Sequence, residues 1–339
     1  MNKLSVLMSV YNSERFLKDA IDSVLNQTFS DFEFLIFEDS SSDRSLEIIG
    51  SFDDKRIKLI RNDINFGLTY NLQKGMELAK GKYVARMDAD DICLPERFKR
   101  QIDFLDDNPD ISILGTSVIF FDDFGNDILG FQPITHDEIK VELLLGFTLL
   151  HPSVMMRMED LRLHKLNYNT HFRYSQDFDL WVRASRQLKL ANLKEPLIKM
   201  REHSSKITRN CSTSQKAYSS EIRETQFKEL SLQLEPIEKN LLDKCTVGEL
   251  VKGKDEIILL EELFKKIHNA NNTVQIFHSD ILLKKIKNLL FLQYYEILKQ
   301  RRHWGLYFWK STFNLFSFLD LKTKVRVIIR TVLVLLSSK

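Results

Sequence analysis

The sequence contains few cysteines, glycines and prolines, and it lacks a long apolar run. Its three cysteines, Cys93, Cys211 and Cys245, lie far apart without a C-x-x-C motif, so neither a disulfide framework nor a thiolate zinc site is expected. The eleven glycines and six prolines have no period, which excludes collagen-like and linker-rich classes. No signal-peptide pattern and no stretch of 18 apolar residues occurs, so we expect a cytoplasmic globular protein without a regular transmembrane helix.

Positive charge is concentrated at the end of the chain. Residues 282–339 carry 12 Lys/Arg against two acidic residues, a net charge of +10, whereas residues 1–281 have a net charge of −8. Lys322, Arg326 and Arg330 recur at every fourth position in this aromatic-rich segment, which predicts a helix lying on an anionic membrane surface. Packing on the body of the protein or on a second subunit is the alternative. Nucleic acid is not an expected partner, because the acidic first part would repel a polyanion.

The first ninety residues alternate short apolar segments with amphipathic ones, a pattern typical of a mostly parallel sheet with crossover helices. Strands are predicted at 4–11, 32–37, 57–60 and 83–87, and helices at 14–27, 45–52 and 68–79. We expect Asn12 or Ser13 to cap the first helix, and Gly81 to end the last one in a left-handed conformation.

Beyond residue 90 the alternation loosens, which predicts a sheet of mixed direction. Helices are predicted at 96–105, 136–145 and 177–187, and extended segments at 111–121, 151–157 and 193–201. After residue 211 the pattern is helical. The predicted fold is therefore an α/β domain over 1–212, with a mixed sheet flanked by helices, followed by a mainly helical region over 213–339.

Carboxylates follow the fourth predicted strand directly, at the sheet edge where α/β proteins bind ligands. Asp88 and Asp90 are two residues apart and can point into one cleft, where they would share Mg²⁺ or Mn²⁺ and a metal-held diphosphate. The alternative is that these aspartates crowd a turn and cap the helix after Pro95. The sequence contains neither G-x-G-x-x-G after the first strand nor a P-loop, so a dinucleotide fold and a P-loop nucleotidase are not supported.

Four segments in this order form a more specific pattern: L-S-V-L-M-S-V-Y-N, E-D-S-S-S-D, N-F-G-L-T and A-K-G-K-Y-V-A-R-M-D-A-D-D. Over residues 3–110 the chain resembles the nucleotide-diphospho-sugar domain of family 2 glycosyltransferases, and the resemblance continues less specifically to His203. It implies a GT-A fold, which is a Rossmann-like mixed sheet flanked by helices.

The resemblance also implies which residues contact the nucleotide-sugar. These are Ser9, Val10, Tyr11, Glu14, Asp39, Asp88 and His203. His203 would be a metal ligand or a diphosphate contact, and an ordinary surface or core position is the alternative. Tyr11 would pack near the base, Asp39 would hydrogen-bond the base or ribose, and Asp90 with Asp88 would bind the cation. Ser9 stands where family members often have proline, and Asp39-Ser40 where they have Asp-Gly, so we expect pocket loops of a different shape. The alternative for Asp39 and Asp43 is that both are helix-capping residues.

The segment Y-S-Q-D-F-D-L-W resembles the family element Glu-Asp-x-Asp-Leu-Trp, which makes Asp177 the candidate catalytic base; a plain N-cap role is the alternative. Gln176 replaces the usual Glu and so removes a charge that would raise the pKa of the base. Asp179 is expected to pair with Arg183 four residues later. The resemblance further places His151-Pro152-Ser153 on the acceptor side, where an ordinary packing role is the alternative.

The implied function is an inverting, metal-dependent hexosyl- or N-acetylhexosaminyltransferase that uses Mn²⁺ or Mg²⁺. A UDP-sugar is the favoured donor, with GDP- and dTDP-sugars open, and the acceptor would be a glycan or a lipid-linked glycan of a bacterial surface polysaccharide. The protein would lie at the inner face of the cell membrane. Two alternatives are a catalytically silent nucleotide-sugar scaffold, suggested by Gln176, and a sugar nucleotidyltransferase, which would need a Gly-rich basic loop that residues 11–15 lack.

Overall fold

The computed structural model describes residues 3–146, 149–203, 212–251 and 253–300, which form two compact units. Within the described chain, the first unit comprises residues 3–143 and 149–222, and the second comprises 144–146 and the residues from 223 onward. The functional division of the chain into 1–212 and 213–339 stays a prediction.

The first unit contains a nine-stranded sheet. Its strands are β1 (Leu4–Val10), β2 (Phe32–Glu38), β3 (Ile57–Arg61), β4 (Tyr83–Met87), β5 (Ile92–Cys93), β6 (Ile111–Phe121), β7 (Asp127–Gly130), β8 (Met155–Arg157) and β9 (Lys189–Arg201). Eight strands lie in the order β3-β2-β1-β4-β8-β6-β9-β5, and β7 pairs with β6. Strands β1 to β4 pair in parallel, whereas β8 is antiparallel to both β4 and β6, so the predicted mixed direction is confirmed.

Helices and one 3₁₀ turn connect these strands. They are α1 (Leu17–Leu25), α2 (Ser45–Gly50), α3 (Leu68–Leu78), α4 (Arg97–Asp107), α5 (His136–Leu145), the 3₁₀ turn His151–Ser153, α6 (Met158–Leu163) and α7 (Gln176–Ala184). Alternate residues of β1 pack on opposite faces of the sheet. Met8 lies in one apolar cluster with Ile21 of α1, and Leu7 lies in the other with Leu72 and Met76 of α3. Both faces of the parallel strands are therefore covered, as their continuous apolar sequences require.

The predicted cap of the first helix is wrong. Helix α1 begins at Leu17 with Phe16 as its N-cap, and no side chain caps it. Asn12 has φ of +48°, and its side chain bonds to the loop after β2 instead. The carbonyl of Ser13 accepts the first amides of the turn. A contact with a loop 30 residues away therefore replaces the local cap.

Gly81 does not end α3 in a left-handed conformation, so this prediction is also wrong. The helix ends at Leu78, with Ala79 as its C-cap. A Cβ atom on Gly81 would lie 2.5 Å from the backbone nitrogen of Ser5 and 2.6 Å from the carbonyl oxygen of Tyr83. Glycine is required here because the turn into β4 passes directly against β1.

The described part of the second unit is helical, as predicted. Its helices are the end of α8 (Ser212–Glu229), α9 (Pro236–Thr246), α10 (Lys254–Val274) and α11 (Ser279–Gln300). Among the helices that the structure describes, none combines the length and apolarity needed to cross a bilayer. The predicted membrane-surface helix with Lys322, Arg326 and Arg330 lies outside the described residues.

Replacing Gly81 with alanine tests the close approach of this turn to β1. We expect Gly81→Ala to lower the free energy of unfolding by about 1–3 kcal/mol, because the new methyl group has backbone atoms on two sides. Urea denaturation measures the change. Gly50→Ala is the control, since no atom lies within 4 Å of the added Cβ and the residue is helical. Equal stability of Gly81→Ala and the wild type would contradict the packing described here.

Candidate active site

The loops that follow β1 and β2 are joined by hydrogen bonds between their backbones and side chains. The Asn12 carboxamide oxygen accepts from the Ser42 amide at 2.9 Å, and the Asn12 amide donates to the Ser41 hydroxyl at 3.1 Å. The Ser13 amide donates to the Ser45 hydroxyl at 2.9 Å. The chain thus brings together two strand ends that the sequence analysis assigned to one nucleotide pocket.

Glu14 and Asp43 extend this junction. The Glu14 amide donates to Asp43 Oδ2 at 2.9 Å, and a Glu14 carboxylate oxygen accepts from the Arg44 amide at 3.0 Å. The other Asp43 oxygen accepts from the Ser45 amide, in the first turn of α2. Burial alone would raise the pKa of Asp43, but these hydrogen bonds outweigh it and lower the pKa. The N-cap of α2 is Arg44 and no side chain caps the helix, so Asp43 is not its cap; instead Asp43 joins the start of α2 to the loop after β1.

Tyr11 and Val10, two residues of the predicted pocket, differ in solvent exposure. Tyr11 is 51% exposed, so its ring is available to a ligand, whereas Val10 is completely buried. Ser40 has φ of +61°. This left-handed conformation is one that glycine adopts more readily than serine, and the expected difference in loop shape stays a prediction.

Asp39 is only 1% exposed. Its Oδ1 accepts from the Asn62 carboxamide at 2.7 Å and from the Phe66 amide at 3.0 Å, and its Oδ2 accepts from the Gly67 amide at 2.8 Å. The carboxylate thus fixes the loop that leads into α3. Direct contact of Asp39 with a base or ribose stays a prediction.

Three carboxylates gather immediately after β4. Oxygen atoms of Asp88, Asp90 and Asp91 lie within 4.8 Å of one another. The N-cap of the following helix α4 is Glu96, so the alternative in which the first two aspartates cap it is wrong. Several carboxylate oxygens at this spacing suit a hard divalent cation. The sequence analysis did not select Asp91, although it directly follows the predicted pair; it is buried and accepts a hydrogen bond from the Arg201 amide at 2.9 Å.

The end of β9 delivers His203 to this cluster. His203 Nε2 lies 2.8 Å from Asp90 Oδ2, and its ring packs on Phe16 at 5.1 Å between centroids. Arg201 donates from Nε to the Asp90 carbonyl oxygen at 3.1 Å and stacks on Phe16 and Phe121. The structure therefore places a histidine ring nitrogen beside a predicted metal ligand that is 113 residues distant in the sequence.

A buried arginine lies beneath the carboxylates. Arg86 of β4 forms an ion pair with Asp88, and its side chain is 3% exposed against 34% for Asp88. Burial disfavours the charge of Arg86, but the ion pair with Asp88 outweighs this and raises the pKa of Arg86. The sequence analysis did not identify this residue, because no pattern revealed that its guanidinium turns toward the cleft.

Asp177 lies in the first turn of α7 and is partly exposed. Desolvation raises the pKa of Asp177, and the negative charge of Asp88 raises it further. A hydrogen bond from the Phe178 amide at 2.8 Å and the positive charge of Arg86 lower the pKa but do not outweigh the desolvation. Asp177 thus lies within electrostatic range of Arg86 and Asp88 at the end of β4. The N-cap of α7 is Ser175, so the plain N-cap alternative for Asp177 is wrong.

Of the residues next to Asp177 in α7, Gln176 is neutral and Asp179 is held in an ion pair with Arg183. Gln176 is buried, and its Oε1 has no hydrogen-bond partner among the described residues. A glutamate there would place a second buried carboxylate beside Asp177. Asp179 forms the predicted ion pair with Arg183, at 2.6 Å.

His151 has a packing role in this structure. It is buried, and its Nε2 lies 2.7 Å from the hydroxyl of Tyr168. Burial, helped by the charge of Arg86, holds the pKa of His151 well below 6.5, so the ring is neutral at physiological pH. Contact of the His151-Pro152-Ser153 segment with an acceptor stays a prediction.

The chain is similar in sequence to known glycosyltransferases. Residues 5–177 match the family described as Glycosyl transferase family 2. An uncharacterized glycosyltransferase of Haemophilus influenzae is 30% identical over 337 residues, which cover 96% of this chain and 95% of that protein. The amylovoran biosynthesis glycosyltransferase AmsE of Erwinia amylovora is 32% identical over 210 residues, which cover 60% of this chain and 78% of AmsE.

A solved structure shares the fold. S. aureus TarS 1-349, crystallised in complex with UDP-GlcNAc, superposes with a TM-score of 0.59 at 17% identity, over 88% of this chain and 92% of TarS 1-349. This likeness confirms the predicted GT-A fold.

The raised pKa of Asp177 predicts a pH-dependent gain in stability when its charge is removed. The folded protein binds the Asp177 proton more tightly than the unfolded chain, whose aspartate pKa is about 3.9, so the ionised carboxylate costs stability at pH 7. We expect Asp177→Asn to melt at a higher temperature than the wild type at pH 7.

The advantage should shrink as the pH falls through the folded pKa and vanish below about 3.9, where both states of the wild type are protonated. Thermal melts at several pH values measure this. Asp110→Asn, at an exposed aspartate paired with Lys189, is the control and should show no such gain. Two results would contradict the desolvation of the Asp177 carboxylate. In the first, Asp177→Asn is no more stable than the wild type at pH 7; in the second, its advantage is the same in acid as at pH 7.

Proposed function

The chain belongs to glycosyl transferase family 2 and is a glycosyltransferase, and we propose that it transfers a sugar from a nucleotide-diphosphate donor with inversion of the anomeric configuration. The observation that carries this proposal is the cluster of Asp88, Asp90 and Asp91 at the carboxyl end of β4, together with the effect of the Asp88 charge on the pKa of Asp177. One part of this site suits a cation and a diphosphate, and the other suits a proton acceptor.

The nucleotide would occupy the joined loops after β1 and β2. The exposed ring of Tyr11 is the surface on which a base would stack, with Ser9, Glu14 and the backbone of Val10 forming the adjoining wall and Asp39 at its base. A UDP-sugar is the favoured donor, supported by the UDP-GlcNAc bound to TarS; GDP- and dTDP-sugars are the other candidates. The transferred group would be a hexose or an N-acetylhexosamine.

The acidic cluster fits a divalent cation, Mn²⁺ or Mg²⁺. Asp90 and Asp88 would hold it, with His203 as a further ligand or as a hydrogen-bond donor to Asp90. When bound, the cation would neutralise the negative charge that develops on the departing nucleoside diphosphate. The Arg86 ion pair would keep the Asp88 carboxylate oriented toward the cleft.

Asp177 would act as the base. Its carboxylate takes the proton of the acceptor hydroxyl while that oxygen attacks the anomeric carbon from the face opposite the diphosphate. The bond between the anomeric carbon and the phosphate oxygen breaks, and its electron pair leaves with the nucleoside diphosphate. Partial burial increases the proton affinity of Asp177, which favours this transfer.

The proposed acceptor is a glycan or a lipid-linked glycan. AmsE of Erwinia amylovora, whose name assigns it to amylovoran biosynthesis, supports a role in making a bacterial surface polysaccharide on a glycan or lipid-linked acceptor. The basic, aromatic-rich residues 282–339 suit an anionic membrane surface, which would place the enzyme at the inner face of the cell membrane.

A catalytically silent nucleotide-sugar scaffold is the second candidate. The observation that favours it is Gln176, a neutral residue where the family element has Glu. Asp177 itself is retained in a setting that raises its pKa, which favours an active enzyme.

Asp177→Asn tests the proposed role of this base. Turnover of a UDP-sugar, measured as release of UDP, should fall about 10²–10⁴-fold, because the amide cannot accept the proton. Calorimetric binding of UDP with Mn²⁺ should be retained, since Asp177 does not hold the diphosphate.

Asp110→Asn again serves as the matched control and should turn over normally. An unchanged rate for Asp177→Asn would contradict the base assignment. A wild type that binds donors but turns none over, with acceptors supplied, would favour the scaffold.

A further inference from the structure

A polar network connects the ends of β1 and β2 through two asparagines. Asn62 Nδ2 lies 2.7 Å from Asp39 Oδ1 and 2.7 Å from Asn71 Oδ1, and Asn71 Nδ2 lies 2.9 Å from Ser9 Oγ. Asn71 is completely buried and Asp39 nearly so, whereas Asn62 and Ser9 are partly exposed. The network therefore passes from the protein interior to the cleft.

The direction of every hydrogen bond in this network is determined. An ionised Asp39 can only accept, so Asn62 must turn its NH₂ group toward it, and the second N–H of that group then donates to the Asn71 carbonyl oxygen. Asn71 must in turn direct its NH₂ group to the Ser9 hydroxyl, which accepts. Asn62 cannot flip without losing two bonds, and Asn71 cannot flip without losing its bond to Asn62, so the two strand ends are held in one arrangement.

The Ser9 hydroxyl is the last acceptor of this network, a role that proline could not fill. Family 2 members often have proline at this position, and proline has no side-chain acceptor for Asn71. The network of this chain thus joins Ser9 to Asp39, two residues assigned to the nucleotide pocket, through two residues that neither the sequence analysis nor the proposed mechanism uses.

We propose that Asn62 and Asn71 are positioning residues of the nucleotide pocket, which fix the Asp39 carboxylate and the Ser9 hydroxyl for binding of the nucleoside part of the donor. This inference rests on the proposed function. Asp39 also holds the Phe66 and Gly67 amides, so a displaced carboxylate would release the loop before α3 as well. A pocket that is ordered only when the ligand arrives binds more weakly, because binding then includes the loss of its conformational freedom.

Asn62 is the better site to test, since it is partly exposed and contributes both N–H groups. Asn62→Ala removes the two donors. Asn62→Asp keeps the size of the side chain but turns a second acceptor toward the Asp39 carboxylate and the Asn71 oxygen. The probes are UDP and inorganic pyrophosphate, each titrated calorimetrically in the presence of Mn²⁺.

We expect the Kd of UDP to rise about tenfold in Asn62→Ala, and further in Asn62→Asp, where like charges meet. The Kd of pyrophosphate should not change, because that probe has no nucleoside part. Asn108→Ala is the matched control: the Asn108 carboxamide donates to the Phe104 carbonyl oxygen at the end of α4, and its loss should leave both affinities unchanged.

UDP affinity equal to the wild type in Asn62→Asp would overturn the inference, with the proposed function intact. Parallel weakening of UDP and pyrophosphate would also overturn it, because that result indicates general damage to the site. A wild type that binds none of UDP, GDP and dTDP would contradict the proposed function, and the inference with it.

Discussion

The repulsion between carboxylates at the carboxyl end of β4 is the constraint on which the site depends. Asp88, Asp90 and Asp91 crowd their oxygens within 4.8 Å, an arrangement that is unfavourable without positive charge or hydrogen-bond donors nearby. The surrounding elements supply both. Arg86 pairs with Asp88 from below, His203 contacts Asp90, and the backbone of β9 donates to Asp91. A divalent cation would complete this balance.

The two sides of the cleft use different chemistry. Around the proposed nucleotide pocket, hydroxyls, carboxamides and backbone amides form hydrogen bonds between the loops after β1 and β2. Acidic groups such as Asp43 accept hydrogen bonds from backbone amides there. Asp177 lies among buried residues, and desolvation raises the pKa of its carboxyl group. The first arrangement favours a pocket that is ordered before the ligand arrives, and the second favours a stronger base.

Sequence reasoning succeeded where a signal is local. β4, β6 and α5 have the predicted bounds, because continuous apolar runs and helical spacing depend on neighbours in the chain. It failed where the partner is distant. Asn12 bonds to a loop 30 residues away instead of capping α1, and Gly81 is dictated by contact with β1. Asp88 and Asp90 were predicted from their position after the fourth strand, and Asp177 from the family resemblance, whereas the network through Asn62 and Asn71 is visible only in the folded chain.

Calorimetric titration of UDP tests the central claim, that the carboxylates after β4 form a metal-dependent diphosphate site. The measurement compares the wild type with Mn²⁺, the wild type with EDTA, and Asp90→Asn with Mn²⁺. The account predicts binding in the first case and its loss in the other two. UDP binding of equal strength in EDTA, or in Asp90→Asn, would contradict it.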